Sequence, residues 1–139
     1  MAEDKKKKAQ EIYAEYQALE QHIKQLQKQL EVLTSQIMEM GGTSRNLEDF
    51  EKTRLGREIF VPISSGVFAK ASLKDISDVL VNVGANVVVK KDILSAKKLI
   101  NNQVDEMKKL HKRMIGDLER LAAHASGLET QLQKLVSEE

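Results

Sequence analysis

The sequence predicts a mostly helical α+β fold, in which two long helices pair as an antiparallel coiled-coil hairpin and two β-hairpins lie between them. Two observations predict this fold. Toward both ends of the chain, apolar residues alternate at spacings of three and four, which is the heptad pattern of coiled coils. In the middle, apolar residues alternate with a period of two and β-branched residues cluster, which is typical of strands. Because the strands separate the two heptad runs, the helices are free to leave them side by side and run antiparallel.

The first heptad run predicts an N-terminal coiled-coil helix over residues 1–55. Glu3 and Asp4 suit its start, since acidic side chains stabilise the positive end of a helix dipole. The pair Gly41-Gly42 weakens the pattern, because a glycine costs about 1 kcal/mol relative to alanine inside a helix. The sequence leaves open whether the helix continues through this pair. The heptad positions of the seam are Ala9, Ile12, Tyr16, Leu19, Ile23, Leu26, Leu30, Leu33, Ile37 and Met40.

Residues 56–91 predict two β-hairpins. In the first, strands over 57–63 and 67–73 flank a Ser-Ser-Gly turn; in the second, strands over 79–83 and 87–90 flank a Gly-Ala-Asn turn. Pro62 lacks a backbone donor, so its strand is expected to lie at an edge or to bulge there. Beyond the heptads, no internal repeat is recognised in the chain.

The second heptad run predicts a coiled-coil helix over residues 92–139, with Asp92 as its N-cap. His111 is polar at a seam position, where such a residue is expected to fix the register of pairing. Lys97, also in the seam, is expected to extend its ammonium group toward water. The full seam comprises Ile93, Lys97, Ile100, Val104, Met107, His111, Met114, Leu118, Leu121, Ala125, Leu128, Leu132 and Leu135.

Composition excludes several classes of function. The net charge of the 139 residues is only +1, which argues against a protein that binds nucleic acid through a basic surface. There is no cysteine, so disulfides and thiolate metal sites are excluded. No apolar stretch approaches the roughly 20 residues that span a membrane, and no signal peptide follows the lysines at 5–8. We therefore expect a cytoplasmic protein without membrane or nucleic-acid partners.

No catalytic, cofactor or metal site is predicted. The lysines at 5–8 precede a heptad run, as in a basic zipper, but no arginine or asparagine is interleaved with them. The three histidines His22, His111 and His124 do not converge as metal ligands would. The acidic residues at 48–51 are expected to form a solvated face. An enzyme is therefore not predicted.

The β-hairpins are predicted to mediate assembly. A small sheet with an apolar face and open edges is marginal in water, and both helices are already committed to each other. Sheets from several subunits can instead join into a shared β-barrel that buries these faces. The residues predicted to lie in this interface are Ile59, Val61, Ile63, Val67, Ala69, Val79, Val81, Val83, Val87 and Val89.

The hairpin sequences resemble those of the alpha class of prefoldin subunits. The similarity covers Phe60–Ala71, with its Val-Pro-Ile strand and Ser-Ser-Gly turn, and Val79–Lys91, with its Val-Asn-Val-Gly turn leading into the second helix. Two hairpins between the helices resemble the alpha class, whereas the beta class has one. The resemblance implies a single prefoldin-like domain over residues 1–139.

This resemblance implies a chaperone subunit. Prefoldin is a hexamer of two alpha and four beta subunits, whose coiled coils hold unfolded polypeptides at their tips and pass them to a group II chaperonin without ATP. The alternative is a prefoldin-like structural or filament-forming scaffold subunit. Where the heptad seams reach the chain termini, they leave an apolar tip, and the client-binding residues predicted there are Ile12, Tyr13, Tyr16, Leu128, Leu132 and Leu135.

Overall fold

The computed structural model describes residues 2–137 and contains two long helices that flank two β-hairpins, as predicted. Neither helix, over the described residues, is long and apolar enough to cross a membrane. In chain order, the elements are α1 (Ala2–Glu51), β1 (Glu58–Ser64), β2 (Val67–Ser72), β3 (Asp78–Gly84), β4 (Val87–Asp92) and α2 (Ile93–Ser137).

Helix α1 continues without a break through Gly41-Gly42, which settles the question that the sequence left open. The heptad pattern lies on both sides of the pair, so seam contacts before and after it hold the helix together. A Cβ atom added at either glycine would meet no other atom within 4 Å. Packing therefore does not require glycine at these two positions.

Replacing both glycines with alanine is expected to stabilise the protein by about 1 kcal/mol at each position, through helix propensity alone. Thermal unfolding followed by circular dichroism measures the gain. Gly66→Ala is the matched control, since a Cβ there also meets nothing but the backbone φ is +80°. The Gly66→Ala variant should lose stability. A gain in stability for Gly66→Ala, together with no gain for the substitutions at Gly41 and Gly42, would contradict this explanation.

Helix α1 ends at Glu51, four residues before the boundary predicted at 55. The backbone N–H of Lys52 donates to Asp49 O at 3.2 Å, and the Thr53 hydroxyl donates to the same carbonyl at 3.0 Å. Both bonds satisfy the Asp49 carbonyl, one of the last in the helix, in a tightened turn. Gly56, with φ +79°, then turns the chain into β1.

The hairpins form two separate two-stranded antiparallel sheets, β1–β2 and β3–β4. All four strands begin and end within two residues of the predicted bounds. The register of the first hairpin shifts between Pro62 and Ser64, next to the turn. The second hairpin shifts in the same way between Asn82 and Gly84, where there is no proline, so the shift belongs to the turn and not to Pro62.

The two hairpins are copies of one unit, which the sequence analysis missed. Every paired position of the second hairpin lies 20 residues after its counterpart in the first, and the register shifts at the same place. Each hairpin carries the same cross-strand ion pair: Lys70 with Glu58 and Lys90 with Asp78, both at 3.5 Å. The strand pairing, the register and the chemical class of the side chains are repeated in the second hairpin. Few residue identities are repeated, so a comparison of identities does not reveal the repeat.

Helix α2 begins immediately after Asp92, whose carboxylate accepts a hydrogen bond of 3.2 Å from the backbone N–H of Ser95. This is the geometry of an N-cap and confirms that prediction. The hydrogen bonding from Ser95 lowers the pKa of Asp92 below its ordinary value. The charged carboxylate is therefore the better cap.

The cap predicts a defined dependence on pH. Because the folded-state pKa of Asp92 lies below the unfolded one, its charge contributes stability above the unfolded value of about 3.9, and this is lost as pH falls through the folded pKa. Asp92→Asn keeps an uncharged cap, so the thermal midpoint of the wild type should exceed that of Asp92→Asn at neutral pH and approach it in acid. Asp92→Ala should lie below both at neutral pH. A gap between wild type and Asp92→Asn that stays constant from pH 7 to pH 3 would exclude the charge as its origin.

The described chain divides into two compact units. We call the first the helical unit: it comprises α1 up to Gln36 and α2 from Met107. The second, the hairpin unit, comprises Ile37–Glu106. The buried apolar residues of the helical unit are Ile12, Leu26, Leu33, Ala125 and Leu128, and those of the hairpin unit are Ile93, Ala96 and Ile100. All except Ala96 are predicted seam positions.

Within the helical unit, α1 and α2 pair antiparallel. His111 Nε2 lies 3.2 Å from the Thr34 hydroxyl, and His124 Nε2 lies 3.5 Å from the Glu15 carboxylate. The Thr34 hydroxyl already donates to Leu30 O at 2.8 Å, so its oxygen is left to accept from His111. This contact supports the predicted role of His111 in fixing the register.

Within the hairpin unit, Lys97 lies in the seam and extends its ammonium group to the exposed carboxylate of Glu51. Its Nζ atom lies 2.6 Å from Glu51 Oε2, and this hydrogen bond raises the pKa of Lys97. Glu51 is the last residue of α1, so the end of that helix places a carboxylate within reach of the seam lysine. Earlier on α1, the Ser44 hydroxyl donates a hydrogen bond of 3.0 Å to the side-chain oxygen of Asn101 on α2.

Candidate client-binding and assembly surfaces

The tip is the end of the helical unit, formed by residues 12–16 of α1 and 128–137 of α2. The structure buries Ile12 and Leu128 in the seam, because both are heptad positions that face the opposite helix. Tyr16, Leu132 and Leu135 are half-buried. The tip therefore places the six predicted client-binding residues together, but two of them are covered while the helices remain paired.

Two exposed apolar side chains adjoin this seam. Tyr13 is 54% exposed and Val136 is 68% exposed. Tyr13 is among the predicted client-binding residues. Val136 is not, although it lies next to the predicted Leu135. The exposed apolar surface of the described tip thus lies beside the seam.

A groove of about 320 Å³ adjoins the tip, and the sequence analysis did not find it. We call it the Tyr16 groove. The Tyr16 phenol donates a hydrogen bond to the Glu20 carboxylate, which, with partial burial and the nearby charge of Glu129, raises the pKa of Tyr16. Its lining residues are Tyr16, Glu20, Ile23, Lys24, Gln27, Ala122, Ala125, Ser126 and Glu129.

The ten predicted assembly residues lie at alternate positions of the hairpins, and their own chain covers them unevenly. The half-buried members are Ile59, Ala69, Val79, Val81 and Val89. The exposed members are Val61, Ile63, Val67, Val83 and Val87, most of which flank the turns. The chain itself thus covers part of this face. The part next to the turns is exposed and can contact another subunit.

The opposite face of each hairpin is also apolar and more exposed. We call it the outer face: it contains Phe60 (68% exposed), Phe68 (60%), Leu80 (73%) and Val88 (54%). In each hairpin the apolar pair lies beside the cross-strand ion pair of that hairpin. Exposed apolar side chains in such number are typical of an interface with another subunit.

A groove of about 520 Å³ runs along β3 within the hairpin unit. Helix α1 contributes Met40, Leu47 and Phe50 to its walls, and α2 contributes Ile100. Among the strands that the structure describes, β3 pairs only with β4, so the other edge of β3 has unpaired backbone groups. An open strand edge beside an apolar wall is suited to receive a further strand.

Comparison with known proteins agrees with this architecture. Residues 19–138 match the family model described as Prefoldin subunit. Prefoldin subunit alpha of Thermofilum pendens is 29% identical over 119 residues, which cover 86% of this chain and 92% of that protein. Prefoldin subunit alpha 1 of Thermococcus kodakarensis is 32% identical over 106 residues, which cover 76% and 72%. The cryo-EM structure of filamentous PFD from Methanocaldococcus jannaschii has a similar fold, with a TM-score of 0.75, 19% identity, and coverage of 88% of this chain and 98% of that one.

Helices that flank β-hairpins, together with a family match along most of the chain, define a prefoldin subunit, and the chain belongs to this family. Its two hairpins and its similarity to alpha subunits assign it to the alpha class. The resemblance seen in the sequence is confirmed. Members of this family are chaperone subunits and not enzymes, and alpha subunits form oligomers with beta subunits.

Proposed function

We propose that this chain is the alpha subunit of a cytoplasmic, ATP-independent holdase, a hexamer of two alpha and four beta subunits. It captures unfolded polypeptides at its tip and delivers them to a group II chaperonin. The observation that carries the proposal is the apolar surface of the tip, where exposed Tyr13 and Val136 adjoin half-buried Tyr16, Leu132 and Leu135.

The same surface suits weak and adaptable binding. Few side chains are exposed at one tip, so a single contact buries little apolar area and is readily released. When one tip of an oligomer holds an unfolded polypeptide, the other tips are at a high effective concentration around it. Several tips therefore bind the polypeptide more tightly than one tip does. Release to a chaperonin then needs no chemical energy source. Ile12 and Leu128 add to the apolar surface only if the helix ends separate.

The proposal is tested by removing the exposed apolar groups of the tip. Tyr13→Ser with Val136→Ser, assembled with beta subunits, should lower the suppression of client aggregation several-fold and leave the oligomer mass unchanged. The matched control is Met38→Ser with Ile115→Ser, which removes exposed apolar side chains from α1 and α2 away from the tip. Equal loss in both variants, or none in the tip variant, would contradict client binding at the tip. Delivery is tested separately, by transfer of a labelled client from the holdase to a chaperonin.

The hairpin duplication favours a second candidate, a filament-forming scaffold. Two equivalent hairpins in one chain offer the same surface twice, and a head-to-tail contact that does not close propagates as a filament. Native mass spectrometry and negative-stain microscopy of the chain alone, and with beta subunits, distinguish the candidates. A holdase gives one closed mass, whereas a scaffold gives lengths that grow with concentration.

A further inference from the structure

The Tyr16 groove results from small side chains on α2. Ala122, Ala125 and Ser126 lie across from the larger Tyr16 and Ile23, so the two helices do not fill the space between them. The volume of about 320 Å³ is at the lower end of the range of about 300–1,000 Å³ that is usual for ligand sites. A groove of this size accepts a side chain and its neighbours, but not a folded partner.

The charges of the groove are unevenly placed. Glu20 and Glu129 are its two carboxylates and Lys24 is its one ammonium group. Both carboxylates raise the pKa of the Tyr16 phenol. The Tyr16 end of the groove is therefore electronegative. Its floor is apolar, with Ala125 buried.

We propose that the Tyr16 groove binds a lysine or arginine side chain that lies within an apolar segment of a non-native polypeptide. The aliphatic stem of that side chain lies on Ala122, Ala125 and Ile23, as stems of basic residues cover apolar surface elsewhere. Its cationic head lies between the Glu20 and Glu129 carboxylates, beside the Tyr16 ring, which itself attracts cations. The inference rests on the proposed holdase function and specifies the client segments that it prefers.

The test uses the chain assembled with beta subunits and three fluorescent peptides. The peptides share one apolar sequence and differ at a single central residue, which is arginine, glutamine or glutamate. Fluorescence anisotropy should give an affinity about three- to tenfold higher for the arginine peptide than for the glutamine peptide, as expected of an exposed ion pair with a cation–π contact. The glutamate peptide should bind most weakly, and added salt should reduce the differences.

Two variants locate the effect. Glu20→Gln with Glu129→Gln should abolish the preference for arginine, so that the arginine and glutamine peptides bind with equal affinity. Glu31→Gln with Glu119→Gln is the matched control, since these carboxylates are exposed and lie outside the groove, and it should retain the preference. Ala122→Leu, which fills part of the groove from an exposed position, should also remove it.

The possible failures are distinguishable. If the wild type binds the three peptides equally and still suppresses aggregation, the groove does not select basic residues and the holdase function stands. If the control variant loses the preference as fully as the groove variant, general electrostatic attraction explains it and the groove is excluded as the site. If no peptide binds and aggregation is not suppressed, the proposed function fails together with the inference.

Discussion

Replacing Phe60 and Phe68 with serine is expected to release this chain from its oligomer. Both rings are more than half exposed in the single chain, on the same outer face of the first hairpin. Burying a phenylalanine side chain contributes about 1.5–3 kcal/mol, so losing two in an interface weakens association by about 100-fold or more. The helices do not involve either residue, so their content should remain.

Native mass spectrometry with beta subunits measures this loss, and circular dichroism checks the helices. The control is Lys70→Ser. Lys70 lies on the strand of Phe68 and on the same outer face, and its side chain forms an exposed ion pair with Glu58. Such pairs contribute little, so the control should assemble normally. An unchanged oligomer mass at low concentration for the double serine variant would show that the outer face lies outside the interface.

The outer face also shows where sequence reasoning was incomplete. The period of two predicts an apolar face at alternate positions of each hairpin. The positions between the predicted assembly residues, however, include Phe60, Phe68, Leu80 and Val88. Nearly continuous apolar strands are typical of sheets buried on both faces. The composition of the strands therefore indicates burial on both faces, whereas the predicted interface uses only the alternate positions.

The helices were predictable because a heptad pattern constrains many residues at once. Every predicted seam residue among those described is buried or half-buried, including His111. The course of α1 at Gly41-Gly42 was not predictable, because a local cost of about 1 kcal/mol per glycine competes with packing that only the paired helix supplies. The Lys97–Glu51 contact likewise depends on where α1 ends, which its turn hydrogen bonds determine.

The tip was predictable in position but not in exposure. Heptad spacing identifies which residues lie near the termini, and the same spacing directs Ile12 and Leu128 toward the partner helix. Residues that are apolar and outside the seam, such as Tyr13 and Val136, are the ones whose side chains stay exposed. The Tyr16 groove was missed because it depends on which side chains face each other across two helices, and this requires the exact register.

Leu33→Ala is expected to destabilise the helical unit by about 2–5 kcal/mol, the usual cost of truncating a buried leucine. Leu33 is 7% exposed and is one of few buried apolar residues in that unit, so neighbouring contacts have little capacity to compensate. Val32→Ala is the matched control, since Val32 adjoins it on α1 but is 58% exposed and should change stability by less than about 0.5 kcal/mol. Chemical denaturation followed by circular dichroism measures both.

The consequence of Leu33→Ala should separate assembly from client binding. The substitution lies in the helical unit, whereas the predicted assembly residues and the outer face lie in the hairpin unit. The oligomer mass should therefore persist near the unfolding temperature of the helical unit, while suppression of client aggregation declines, because unfolding separates the residues of the tip. If mass and suppression were instead lost together at one temperature, the two units would unfold as one, and client binding would depend on the hairpins as much as on the paired helices.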